Sequence, residues 1–171
     1  MHSDIDDKIL DTLVDATLTI VDPVTTAIAV DRCLVANTDD LSELVDEIGN
    51  KKYAVVWTLQ EDRKDGQAVN NLRAVQSKMS LIAIVMANIP NKAGVSRKRC
   101  LRIAHLLKDK FINYSISEVV MDDTSVVNPH FSQMDWVATT PREIRTGTPQ
   151  INEPAGYMVA VEFTAKTKKQ F

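Results

Sequence analysis

The stretch Gln76-Ser77-Lys78-Met79-Ser80-Leu81-Ile82-Ala83-Ile84-Val85, with the helix-like run Arg97-Lys98-Arg99-Cys100-Leu101-Arg102-Ile103-Ala104-His105-Leu106-Leu107-Lys108-Asp109-Lys110-Phe111 after it, organises the chain. Over Val75 to Met79 apolar and polar residues alternate, and from Leu81 to Val85 both sides turn apolar, which predicts a strand entering the middle of a sheet. Asn88, Pro90, Asn91 and Gly94 break the pattern, and Ser96 is placed to cap a helix beginning at Arg97. Cys100, Ile103, Ala104, Leu107 and Phe111 then share one side of that helix, with Lys98, Arg102, His105 and Asp109 opposite. One side of the helix must lie on a sheet.

Working outward toward the N-terminus, Ser3 and Asp6 resemble a helix start, and Ile5, Ile9, Leu10, Leu13 and Val14 form an apolar face reaching about Ala16. Asp4, Asp7, Asp11 and Asp15 gather on the other side with only Lys8 among them. That face is distinctly negative and suits either solvent or a basic partner. After Asp22-Pro23, Ala27 to Val35 reads as a strand. Thr38 is placed to cap a short helix carrying Leu41, Leu44, Val45 and Ile48, which Gly49 ends. Tyr53 to Leu59 is rich in β-branched and aromatic residues and reads as a strand. The polar run Gln60 to Leu72 would join it to the organising strand as an antiparallel hairpin whose tip, Lys64 to Gln67, projects into solvent.

Toward the C-terminus, Ser117 to Met121 reads as a short strand. From Tyr157 to Thr167 strict alternation predicts a half-buried antiparallel strand, with Tyr157, Val159, Val161, Phe163 and Ala165 inward. Between them, Asp122 to Gly156 holds Pro129, Pro141, Pro149 and Pro154 and no clear periodicity. It is expected to be an irregular arm or loop, docked through Phe131, Met134, Trp136 and Val137 on its own domain or on a neighbouring subunit.

The bulk numbers fit one domain: 171 residues, 44% apolar and 25% charged. A net charge of −3 gives no general attraction to nucleic acid or to an anionic membrane. No apolar run is long enough for a membrane span, and the start of the sequence has no secretion-signal pattern, so a cytoplasmic protein is expected. Cys33 and Cys100 read as two reduced core thiols.

Reactive constellations are not visible. Five glycines, at 49, 66, 94, 147 and 156, are too dispersed for a phosphate-cradling loop. His2, His105 and His130 have no metal-ligand spacing, and the acidic pairs Asp6-Asp7, Asp39-Asp40 and Asp122-Asp123 lack a third ligand. No serine sits in a nucleophile elbow, and no cysteine has a histidine beside it. No cofactor, metal or catalytic residue is expected. The one concentrated positive run is Arg97, Lys98, Arg99 and Arg102, where cations oppose the helix dipole. It suits solvent, an acidic neighbour such as the Asp4 to Asp15 face, or a phosphate backbone.

The predicted order is helix, strand, short helix, strand, hairpin tip, strand, helix, strand, irregular segment and final strand, ending near Lys166, Lys168 and Lys169. Over Ile5 to Thr167 that order resembles the tail terminator and related neck proteins of long-tailed bacteriophages and phage-tail-like particles. The resemblance implies an α+β fold, an antiparallel or mixed sheet of about five strands with two to three helices packed on it. It also implies a homo-oligomer, a six-fold ring that caps the tail tube and joins it to the head connector. Its implied partners are the tail tube protein and a sheath or head connector protein. DNA at most passes through the lumen, and no membrane is involved. Assembly in the host cytoplasm and a final place in the virion neck follow. Residues expected at interfaces are Asp4, Asp7, Asp11, Asp15, Lys64, Asp65, Arg97, Lys98, Arg99, Arg102 and Trp136. Two other readings stay open: a head-tail adaptor or stopper of the same particle, and a small α/β enzyme gathering His105, Asp109 and Asp122.

Overall fold

The computed structural model describes residues 2–25, 28–36, 53–64, 74–87, 93–146 and 153–170. In chain order these form helix α1 (His2–Thr17), strands β1 (Arg32–Val35), β2 (Tyr53–Lys64) and β3 (Ala74–Ala87), helix α2 (Ala93–Phe111), and strands β4 (Val119–Val120), β5 (Val126–Val127), β6 (Ser132–Thr146) and β7 (Glu153–Gln170). Five strands make one sheet in the order β1-β2-β3-β7-β6, while β4 and β5 form a separate small ribbon. Only β1 and β2 run parallel, so the sheet is mixed and the fold is α+β as expected.

The organising strand does take the central place. β3 pairs along β2 on one side and β7 on the other, and β2 and β3 form the expected antiparallel hairpin. On β3, Met79, Leu81, Ala83 and Val85 are buried, and on β7 Val159, Val161, Phe163 and Ala165 are buried. Helices α1 and α2 cover that face. α1 contributes Ile9, Leu10 and Leu13 to the core, and α2 contributes Cys100, Ile103, Ala104, Leu107 and Phe111. The 3.6-residue and two-residue patterns thus meet in one apolar layer. A smaller cluster of Ala54, Val56 and Met86 lies on the other face of the sheet.

Trp57 sits where the layers join. It is fully buried, packs edge-on to Phe111 at 5.2 Å between ring centroids, and lies 5.7 Å from Phe163. Its Nε1–H donates to Thr17 Oγ1 at 2.8 Å, and the Thr17 hydroxyl donates to the Leu13 carbonyl at 2.6 Å. One indole therefore links the end of α1, strand β2, the end of α2 and strand β7.

Several boundaries differ from the pattern reading. α2 begins at Ala93, so Ser96 lies inside the helix and not at its cap. α2 stops where Asn113 takes φ 60, the left-handed conformation that asparagine tolerates after a helix. Among the described residues of Ala27 to Val35, Arg32–Val35 form the strand, and upstream an isolated bridge joins Val21 to Ala29. The short helix expected after Thr38, with Leu41, Leu44, Val45, Ile48 and Gly49, lies outside the described residues, as do the tip residues Asp65 to Gln67. β2 continues as far as Lys64, past the expected end at Leu59.

The largest difference is in Asp122 to Gly156, expected to be irregular. It contains β5, the whole of β6, and the first residues of β7. β6 escapes a periodicity search because its pairing with β7 shifts between Ser132 and Asp135, between Trp136 and Ala138, and between Ile144 and Arg145. The first two shifts each insert an extra residue into β6 and reverse which of its residues face inward. His130 (φ 51) and Gln133 (φ 53) adopt left-handed backbone at its start, without glycine. Pro141 is accommodated in β6 because an edge strand leaves alternate N–H groups outside the ladder.

Trp136 is held to its own domain. Its Nε1–H donates to Thr139 Oγ1 at 2.9 Å, and Lys108 Nζ of α2 lies 3.8 Å from its ring centroid. Replacing Lys108 with methionine keeps the stem and removes the cation, so a loss of about 0.5–1 kcal/mol in urea unfolding is expected, with a shift in Trp136 emission.

Candidate functional site

Surface charge is the feature most able to define a function, and the structure sorts it into engaged and exposed groups. On α1, Asp7, Asp11 and Asp15 are all exposed and recur every four residues, forming one stripe. Asp4 lies on the same helix. Lys8, which interrupts the stripe in sequence, bonds Asp122 Oδ1 at 2.7 Å and so ties α1 to the turn between β4 and β5.

The basic start of α2 is divided between exposed cations and cations engaged within the chain. Arg102 grips Asp22 with two bonds, Nε to Oδ2 at 2.8 Å and an Nη to Oδ1 at 3.1 Å. Asp22 is buried, with a residue accessibility of 2%. Its Oδ1 also accepts the Val24 N–H at 3.0 Å, an Asx-type turn around Pro23. The Arg102 hydrogen bond, then that turn, hold the Asp22 carboxyl at about 2, well below the usual carboxylate value, against a smaller opposing effect of burial. Arg99 donates to the hydroxyl of buried Tyr53 and lies 5.9 Å from its ring centroid. Arg97 and Lys98 are exposed. Arg99 and Arg102, both expected at an interface, therefore have partners inside the chain.

Strand register assembles a second basic group. Lys78 of β3 stands directly opposite Arg63 of β2 and Lys166 of β7, so three cations form a row across three strands. Their neighbours Ser77, Met79, Ala165 and Thr167 are buried on the helix side, which places the row on the opposite face of the sheet. All three are exposed, and Lys168 follows two residues along β7 on the same face. Sequence reading missed the row because each cation is an unremarkable outward residue on its own strand. Lys64 ends β2 beside it, and Asp65 lies outside the described residues.

The groups suggested for an enzyme do not form a site in this arrangement. His105 and Asp109 are an exposed pair 3.3 Å apart, one turn apart on α2, and Asp122 is held by Lys8. A notch of about 310 Å³ is lined by Gln76, Ser77, His130, Ser132, Gln133, Lys166, Thr167 and Lys168. It holds no carboxylate or thiol, and its Ser77 and Thr167 hydroxyls bond each other. Cys33 is pushed up to about 12 by burial, with the Thr17 hydroxyl acting against the shift, so its thiol stays protonated at neutral pH. Among the described residues no group of three or more His, Cys, Asp and Glu could hold a metal ion, and no helix is long and apolar enough to cross a membrane.

The fold thus defines an α+β chain with helices α1 and α2 on one face of a mixed five-stranded sheet. No family model matches its sequence. No protein of curated function matches it either. Among solved structures, it shares its fold with a chain of the virion of a native gene transfer agent (GTA) particle. The TM-score is 0.59, the match covers 96% of this chain and 98% of that one, and the two are 8% identical.

Proposed function

We propose that this chain is a structural protein of a phage-like particle, and within that class the tail terminator, which forms a ring on the end of the tail tube and joins it to the head connector. The carrying observation is that the likeness to a virion chain runs the length of both molecules, 96% of one and 98% of the other. A match of one shared motif would leave large parts of either chain uncovered. The charge distribution supports the reading, because a closed ring needs two different, complementary surfaces on each subunit. An acidic stripe on α1 and cations on other parts of the chain supply such a pair. The function then lies in surfaces, with the tube and connector proteins as neighbours, and no cofactor takes part.

The test is to assemble particles with and without this chain. The expected result without it is tails of uncontrolled length lacking heads, with wild-type chain restoring a uniform length and appearing at the tail end in negative-stain images. Tails of normal length that fail to join heads would instead assign the head-tail adaptor or stopper role. Normal, headed particles in its absence would end both readings.

A further inference from the structure

We infer that the cross-strand row Arg63, Lys78 and Lys166 is the surface that receives the Asp7, Asp11 and Asp15 stripe of a second copy of this chain. The inference rests on the assembly reading above and names the contact that reading requires.

Like charges directly opposite on neighbouring strands destabilise a sheet. Here β3 places a lysine between an arginine on one side and a lysine on the other. Glu61 offsets one end of the row, bonding the Arg63 guanidinium at 2.8 and 3.0 Å. No carboxylate of the described residues pairs with Lys78 or Lys166. Further along the same face Glu61, Asp135 and Glu162 appear, so the positive region is confined to the end of the sheet where β6 starts. A local charge of one sign, held on a rigid three-strand platform, is relieved when an opposite charge docks.

The α1 stripe matches it in number and length. Strands lie about 4.8 Å apart, so three cations in a row span roughly 10 Å. Carboxylates at every fourth helical residue rise about 6 Å each, so three span roughly 12 Å. A helix laid across the strands would set one carboxylate near each cation. Both groups are exposed, yet they belong to opposite faces of the sheet, because α1 packs on the face that the row does not share. They therefore do not meet within one chain. Between copies they give a heterologous, head-to-tail contact, which closes into a ring when its rotation permits.

The experiment compares wild-type chain with Lys78→Glu/Lys166→Glu by light scattering and sedimentation, at low and high salt, with and without tail tubes. Both lysines are exposed and an introduced glutamate faces Arg63, so the variant is expected to melt close to wild type. Its self-association is expected to weaken at least roughly tenfold, as like charges now meet across the contact. Adding Asp7→Lys and Asp11→Lys to the same chain reverses both surfaces and is expected to restore association. Wild-type assembly left unchanged by the lysine reversal, or no recovery in the fourfold variant, would overturn the inference while leaving the particle role standing. A wild-type chain that stays monomeric with tubes present would overturn both. Salt-sensitive binding of duplex DNA, lost with the lysines while subunit mass is unchanged, would reassign the row to a phosphate backbone.

Discussion

Trp57→Ala is expected to lower the free energy of unfolding by about 3–5 kcal/mol in denaturant titration, among the largest effects of any single core truncation in this chain. The size follows from position. The indole fills the junction of α1, α2, β2 and β7, and its removal leaves Phe111 and Phe163 facing a void that elements from both layers would have to move to close. It also leaves the Thr17 hydroxyl, which is buried, without the indole donor. Trp57→Phe separates the two contributions. It retains an aromatic ring against Phe111 and loses the indole N–H, so a smaller loss of about 1–2 kcal/mol is expected. If Trp57→Phe proves as damaging as Trp57→Ala, the hydrogen bond to Thr17 dominates and the packing argument is wrong. Circular dichroism at a backbone wavelength follows the transition in both variants, leaving Trp136 emission as an independent local probe.

The elements meeting at Trp57 are those a pattern search reads best. β7 keeps its two-residue alternation from Tyr157 to Thr167 and α2 an unbroken 3.6-residue stripe, because each buries one side against a single apolar layer, while the doubly apolar run of β3 marks a strand with a second cluster behind it. β6 also buries residues in that layer, Met134 among them, yet the two extra residues it carries against β7 scramble its alternation. The left-handed His130 and Gln133 carry no glycine to announce a turn. The same limit governs the charged groups. The α1 stripe is local, so helical spacing reveals it. The Arg63, Lys78 and Lys166 row exists only through strand register, and the Asp22–Arg102 pair only through packing of α2 over the segment after α1. A run of adjacent cations at the start of α2 drew attention in the sequence, although two of them turn out to serve the subunit's own interior.

Arg102→Leu is expected to lower the melting temperature by several degrees at neutral pH and to do so less severely as the pH falls from about 4 toward 2. Removing the guanidinium leaves the buried Asp22 carboxylate with backbone donors alone, and a buried charge without its partner is strongly destabilising. The pH dependence has a definite sign. In the wild type the folded-state value of Asp22 is about 2 against an ordinary 3.8. A depressed carboxyl contributes stability that is fully present above the ordinary value and is lost as the pH falls from about 4 through 2. The wild type should therefore lose this contribution only in strong acid. In Arg102→Leu the main cause of the depression is gone, burial then favours the protonated acid, and less stability remains for acid to remove through this group. The difference between the two proteins should accordingly be largest at neutral pH and shrink between about pH 4 and pH 2. Asp22→Asn in the Arg102→Leu background replaces the unpaired charge with a neutral amide and is expected to recover part of the loss at neutral pH. Equal melting temperatures for the single and double variants at neutral pH, or a wild-type advantage that grows below pH 4, would show that the pair contributes through shape alone.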